Sequence, residues 1–319
     1  MKKVIYTIIL SLFALLLFAQ SPGEKKWKEN LVKNRIQSQE QWNYKYVKGK
    51  PSKDGYKNFT KKFDLNGNVI EEIYYNAGNI DKKSSYKYDQ NDNPIEYVNY
   101  KGDESKVMFM QTITYDNSGN KIREERFNGL DYEIIKYTYD PKNKLTEIVR
   151  SDVNGKVAHN RVFNYSGNVC HIYIYNNGSE VGKITNTYDS NGNITETIEY
   201  DSGGNIKEKY IYVYNGKNLS EKTKYIGEKF TYHENYKYDN SGNLIEIQKE
   251  EPKGNVFINN LYKYDSKGNL IEEEWYDNTP DENSKKTYFY NEKGILEKAE
   301  VYYALYKYKI QYRYKYTYF

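Results

Sequence analysis

The chain has 319 residues, 39 of them Tyr and one Cys, and a formal net charge of +4. So small a charge argues against nucleic acid as the main partner, and a lone Cys excludes an internal disulfide. Leu, Ile, Val and Phe supply only about a fifth of the residues, near the level at which chains stay disordered. Tyr makes up the deficit, because each ring buries a large apolar face while its hydroxyl finds a partner.

Lys2 and Lys3 precede an apolar run from Val4 to Phe18, followed by Ala19-Gln20-Ser21-Pro22. This is the order of a secretory signal peptide, residues 1–20, removed near Gln20. The run is about 15 residues, short of the roughly 18 to 20 that a spanning helix needs. The expected location is therefore secreted, periplasmic or cell-surface, with no membrane span once the leader is removed. No Cys follows the run to carry a lipid. Loss of Lys2 and Lys3 lowers the net charge from +4 to +2.

Residues 21–60 read as a lead and a capping hairpin. Trp27 to Val32 suits a short helix or an unstructured lead, Asn34 to Val47 a long strand, Lys50 to Gly55 a turn and Tyr56 to Phe63 the return.

Residues 61–297 carry about ten copies of one phrase, seen most cleanly from Tyr236 to Glu246 and from Tyr262 to Glu272. Its second aromatic falls at Phe63, Tyr88, Tyr115, Tyr139, Phe163, Tyr188, Tyr214, Tyr238, Tyr264 and Tyr290, in steps of 24 to 27 residues. That is the mark of a repeat array. Tyr-x-Tyr puts both rings on one face of a strand, since side chains alternate. The Asp that follows can accept from the backbone two residues on, and a Gly three residues later takes the left-handed conformation that ends the turn. Asp116 and Gly119, Asp189 and Gly192, Asp239 and Gly242, and Asp265 and Gly268 are such turn pairs. A return strand such as Leu244-Ile245-Glu246-Ile247 and a looser turn complete each unit. The fold class predicted is all-β, an antiparallel hairpin meander of about 20 strands. Open twisted sheets seldom exceed about 10 strands, so the expected shape is a coiled one: a spiral strip, a trough or a tube.

The phrase Tyr-x-Tyr-Asp-x-x-Gly-Asn-Leu-Ile resembles the YD or RHS repeat of bacterial surface and toxin-complex proteins over roughly residues 60 to 300. The resemblance implies a long β-strip that spirals into a shell. Two departures stand out. Asn68, Asn120, Asn193, Asn243 and Asn269 stand where that family commonly has Arg, and the core-associated region and toxin domain of its large members are lacking. Asp140-Pro141-Lys142-Asn143 is only superficially like that family's Asp-Pro-x-Gly cleavage motif, so the resemblance supplies no catalytic residue.

Residues 298–319 form the capping strand. Tyr306 to Tyr318 alternate with Lys307, Lys309, Arg313 and Lys315. The residues in register with the C-terminal Phe319 are the polar set, opposite to the pattern of an outer-membrane barrel's last strand. The expectation is an edge strand blunted by charge.

Motifs for chemistry are scarce. His159, His171 and His233 show no metal spacing, and Cys170 reads as a packed thiol. Gly178 to Lys183 misses a phosphate loop by one residue, and Asp189-x-Asn191-x-Asn193 lacks the Glu that closes a calcium loop. Glu71, Glu96, Glu147, Glu196, Glu246 and Glu272 recur once per unit, where similar environments suit pairing with Lys and Tyr hydroxyls better than glycosidase chemistry. The expected protein is a non-enzymatic scaffold of the cell envelope, without cofactor or metal. Its partner would be an envelope protein or, alternatively, a polysaccharide stacked on Tyr236, Tyr238, Tyr262 and Tyr264.

Overall fold

The computed structural model describes residues 22–103, 106–276 and 282–319. The proposed signal peptide lies outside them. After helix Glu24–Lys33, the strand Ile36–Val47 begins a meander in which each strand pairs antiparallel with its neighbours in sequence, ending at Tyr308–Tyr318. The two end strands also pair with each other, Gln39 opposite Tyr316 and Trp42 opposite Arg313. Of the 23 strands among the described residues, the two-residue Lys50–Pro51 pairs only with the end of the first. The other 22 form one closed barrel.

Closure selects the tube among the expected shapes and corrects one further expectation. The meander is as expected, but it is a closed barrel and not an open strip or trough, and the last strand is not an edge. Its polar alternation has a direct partner: Lys315 lies over the ring of Trp42, Arg313 over Tyr44 and Lys309 over Tyr46, at 4.7, 4.3 and 4.7 Å. The cations of one strand cover the aromatics of the other. Long exposed edges of 12 and 11 residues would template aggregation, and their pairing removes both.

The Tyr face of the sheet is the inner one. Phe63, Glu124, Ile135, Cys170, Ile172, Ile184, Ala299 and Val301 lie on it and are at most 5% exposed. Among the described residues only the helix and the 3-10 turn Ala304–Tyr306 stand outside the sheet, so no second layer covers this face. It is buried because it is concave.

The Asp-x-x-Gly turns that follow the Tyr-x-Tyr strands, such as Asp116 to Gly119 and Asp239 to Gly242, lie at one mouth, and the helix lies across part of it. Leu31 packs with Ile36, Phe63 and Ile295, and Trp27 meets the Phe63 ring edge-on at 5.7 Å. Asn30 donates to the Asn269 side chain and to the Gly294 carbonyl, both at 2.9 Å, and Lys28 donates to Asn68 at 2.7 Å. The helix thus ties together turns on either side of the seam. Of the two states the sequence allows for Trp27 to Val32, the helix is the one formed.

Candidate functional site

The turn residues sit where local sequence chemistry puts them. Asp239 accepts from the backbone N–H of Ser241 and of Asn243 at 2.9 Å, and the Gly242 N–H donates to the Asp239 carbonyl at 3.0 Å. Gly119, Gly192, Gly242 and Gly268 have φ of 81, 84, 82 and 80°, the left-handed region that a Cβ disfavours. Asp92 and Asn143 fill the same position at 62 and 60°. The Asn after Gly closes the ring, its amide donating to the second Asp oxygen at 2.9 Å for Asn243 and 2.8 Å for Asn269. These hydrogen bonds hold Asp116, Asp189, Asp239 and Asp265 below the ordinary carboxylate range, in the last two against the opposing effect of burial.

In six of the phrases the second Tyr has a specific task. Tyr238 donates its hydroxyl to the Leu219 carbonyl at 3.0 Å, Tyr264 to Leu244 at 3.0 Å and Tyr290 to Leu270 at 2.8 Å. Tyr88, Tyr115, Tyr139 and Tyr316 make the same bond to Val69, Pro94, Lys121 and Leu296. Each acceptor opens a return strand just outside the ladder to the next strand. The ladder following Leu244, for example, begins only at Glu246 opposite Leu261. The phenol satisfies a carbonyl that would otherwise lack a protein partner, and Tyr316 extends the series by one more step.

The proposed platform residues Tyr236, Tyr238, Tyr262 and Tyr264 are all half-buried on the inner face. The hydroxyls of Tyr238 and Tyr264 are committed to the wall, and that of Tyr236 donates to Glu234 at 2.8 Å. The Tyr262 hydroxyl makes no hydrogen bond among the described residues. Burial raises the pKa of all four, that of Tyr264 to about 12.

Around these rings the inner wall repeats a Tyr–Glu–Lys grouping. Glu72 takes Tyr86 and Lys61 at 3.1 and 2.6 Å, Glu208 takes Tyr210 and Lys224 at 2.9 and 3.0 Å, and Glu273 takes Tyr288 and Lys286 at 2.7 and 3.8 Å. Glu124, fully buried, accepts from Tyr137 at 2.7 Å and Gln111 at 2.8 Å, with Lys121 and Arg126 as counter-ions. Burial opposes its charge, but these partners hold its pKa down. Every carboxylate with a resolved shift lies below its ordinary value, whereas a general acid working near neutral pH needs a raised one.

The six recurring Glu residues point the other way. On the outer wall Glu71 pairs with Lys62 and Lys83, Glu96 with Lys87, Glu196 with Lys209, Glu246 with Lys237, and Glu272 with Lys263 and Lys285, at 2.6 to 3.0 Å. Glu147 instead accepts from Asn160 at 3.0 Å. The expected Lys partners are present, but the Tyr hydroxyls pair with different carboxylates on the inner face. Sequence reasoning missed that inner set. Its signal was the doublet Glu71-Glu72, whose members must face opposite sides of a strand.

Cys170 is 1% exposed, and burial pushes its thiol pKa up, which suits packing. His171 and His233 bond Thr185 and Thr223 at 3.1 and 2.9 Å, and His159 bonds Asn176. Among the described residues no group of acidic, His and Cys side chains could hold a metal.

No family model matches the chain, and no curated protein matches it. Among solved structures, a crystal structure of TcdB2-TccC3 is 15% identical over 84% of this chain, with a TM-score of 0.34. This chain spans only 15% of that one's length. A porin-like protein from Bacteroides uniformis is 11% identical, covering 89% of this chain and 97% of its own, with a TM-score of 0.34. One from Bacteroides vulgatus is 15% identical, covering 58% and 94%, with a TM-score of 0.28.

Proposed function

We propose that this protein is an exported, non-enzymatic barrel that stands in water and serves as a binding scaffold of the cell envelope. The observation that supports this most is the outer Lys–Glu ladder. A barrel wall in lipid needs an outward apolar band, and each Lys or Arg at the bilayer midplane costs about 2 to 4 kcal/mol. Here Lys83, Lys209 and Lys285 point outward from within their strands, each paired to Glu. Such a wall favours water over hydrocarbon. The repeat phrase keeps the YD or RHS type as the reading of its ancestry. Fractionating the native host tests the proposal: the protein should be soluble or released from membranes by alkaline carbonate. Retention through carbonate, with release by detergent alone, would mean an integral barrel.

A second reading, a polysaccharide on the inner wall, is favoured by Tyr262, a half-buried inner ring whose hydroxyl the wall does not use. Titration calorimetry with envelope glycans should then give binding that Tyr262→Ala removes while leaving the unfolding midpoint little changed.

A further inference from the structure

The two mouths of the barrel differ in a way that the scaffold reading does not use. Among the described residues, nine large apolar or aromatic side chains are more than half exposed. Only Leu65 and Tyr318 lie at the mouth that carries the helix. The other seven, Val47, Leu130, Val153, Ile226, Val256, Leu305 and Tyr306, all lie at the opposite mouth, at the ends of strands or in the turns that join them. Leu130 is 86% exposed and Tyr306 74%.

Their distribution identifies what would cover them. Following the strand order, the tips occupy the hairpins after the first strand, after Lys121–Phe127, Leu145–Asp152, Asn218–Ile226 and Leu244–Glu250, and after Leu296–Tyr303, which adjoins the first strand again. They fall on three pairs of adjacent hairpins spaced round the mouth. A globular partner would need its apolar residues gathered on one side, where they form a continuous patch. Separate tips spread round a ring suit a surface that accepts each independently, as the interface of a bilayer accepts single apolar and aromatic side chains. Charge adds a preference. Beside Val47, Leu305 and Tyr306 at the seam stand exposed Lys48, Lys50, Lys53 and Lys307, against the acids Asp54 and Glu282. Leu130, Val153, Ile226 and Val256 stand on hairpins that carry Asp131, Asp152, Glu228 and Glu251, so the basic sector is the seam. Clustered lysines next to inserted apolar groups favour anionic headgroups.

We propose that the mouth opposite the helix docks on an anionic bilayer surface, with the barrel standing on its ring of tips and no strand crossing the membrane. The exported full chain should sediment with vesicles of mixed phosphatidylcholine and phosphatidylglycerol, and more weakly with phosphatidylcholine alone. The double variant Leu130→Ser/Tyr306→Ser should lower the partition coefficient at least about tenfold, because two inserted side chains are lost. Lys48→Glu/Lys53→Glu should remove the preference for the anionic vesicles, and Leu65→Ser at the other mouth should change nothing. Circular dichroism of each variant checks that the barrel is intact. Failure of the wild type to sediment, or equal sedimentation of Leu130→Ser/Tyr306→Ser, would overturn the proposal. A solution dimer that the same double variant dissociates would also overturn it, by making a second copy the occupant. Resistance to carbonate extraction is a separate outcome and bears on the scaffold reading alone.

Discussion

The Tyr264 hydroxyl donates to the Leu244 carbonyl at 3.0 Å, across from one hairpin to the hairpin before it. Tyr262, two residues earlier on the same face, makes no such bond. Tyr264→Phe should therefore cost about 1 to 2 kcal/mol, the effect of leaving a carbonyl unpaired, and Tyr262→Phe close to nothing. Urea midpoints of the two variants check this. Equal losses would show that the rings matter and the hydroxyl does not.

Gly242 has φ of 82° and open space where a Cβ would stand. Gly242→Ala should cost on the order of 1 kcal/mol from backbone conformation alone, and Gly242→Asn less. Gly67, at 76°, would place a Cβ 2.9 Å from the Val32 side chain of the helix. Gly67→Ala should cost more than Gly242→Ala and should loosen the helix, which tryptophan fluorescence from Trp27 would report.

Glu300 illustrates the response to acid. Burial opposes its charge, but Lys309, Lys298 and Gln311 overcome that and hold its pKa at about 2 against an ordinary 4.5. A lowered folded pKa gives stability that is present above about pH 4.5 and lost as the pH falls toward 2. Glu71, Glu124, Glu208 and Glu272 are lowered by similar Lys and Tyr contacts, also against burial. Thermal midpoints should fall through that window, and the fall should be smaller in Glu300→Gln. An unchanged slope in that variant would count against the assignment.

Antiparallel closure requires an even number of strands. Deleting residues 238–263 removes one hairpin and leaves 20 strands, so the ends can still meet antiparallel. Deleting 239–251 removes a single strand and would bring the first and last strands together parallel. The first variant should fold to a narrower barrel by circular dichroism and small-angle scattering. The second should aggregate through its open edges.

The turns were legible because Asp239, Gly242 and Asn243 act on one another within five residues. Closure was not, because nothing local to Tyr308–Tyr318 says that Trp42 and Tyr44 lie opposite Lys315 and Arg313. The inner and outer faces were equally hidden. Lys222 and Glu234 face inward, while Ile198 and Ile211 face outward beside the outer Glu196–Lys209 pair, so hydrophobicity does not separate them. The role of the second Tyr was half-visible. Its partner stands a nearly constant 18 to 21 residues earlier, an interval that the repeat period contains but composition does not reveal.

The backbone N–H of Phe319 donates to the carbonyl of Arg35 at 3.0 Å, so the pairing that seals the ring runs on past the end of the strand Tyr308–Tyr318. Every other ladder joins neighbours in sequence and can zip as soon as its hairpin exists, with little loop entropy to overcome. The seam alone must wait. A chain made from its N-terminus therefore holds its first strand half-paired until Tyr308–Tyr318 has been made, and is safe from edge-to-edge association only once that strand has docked. Chaperoning of that single open edge, more than any search for topology, is the kinetic demand this architecture sets.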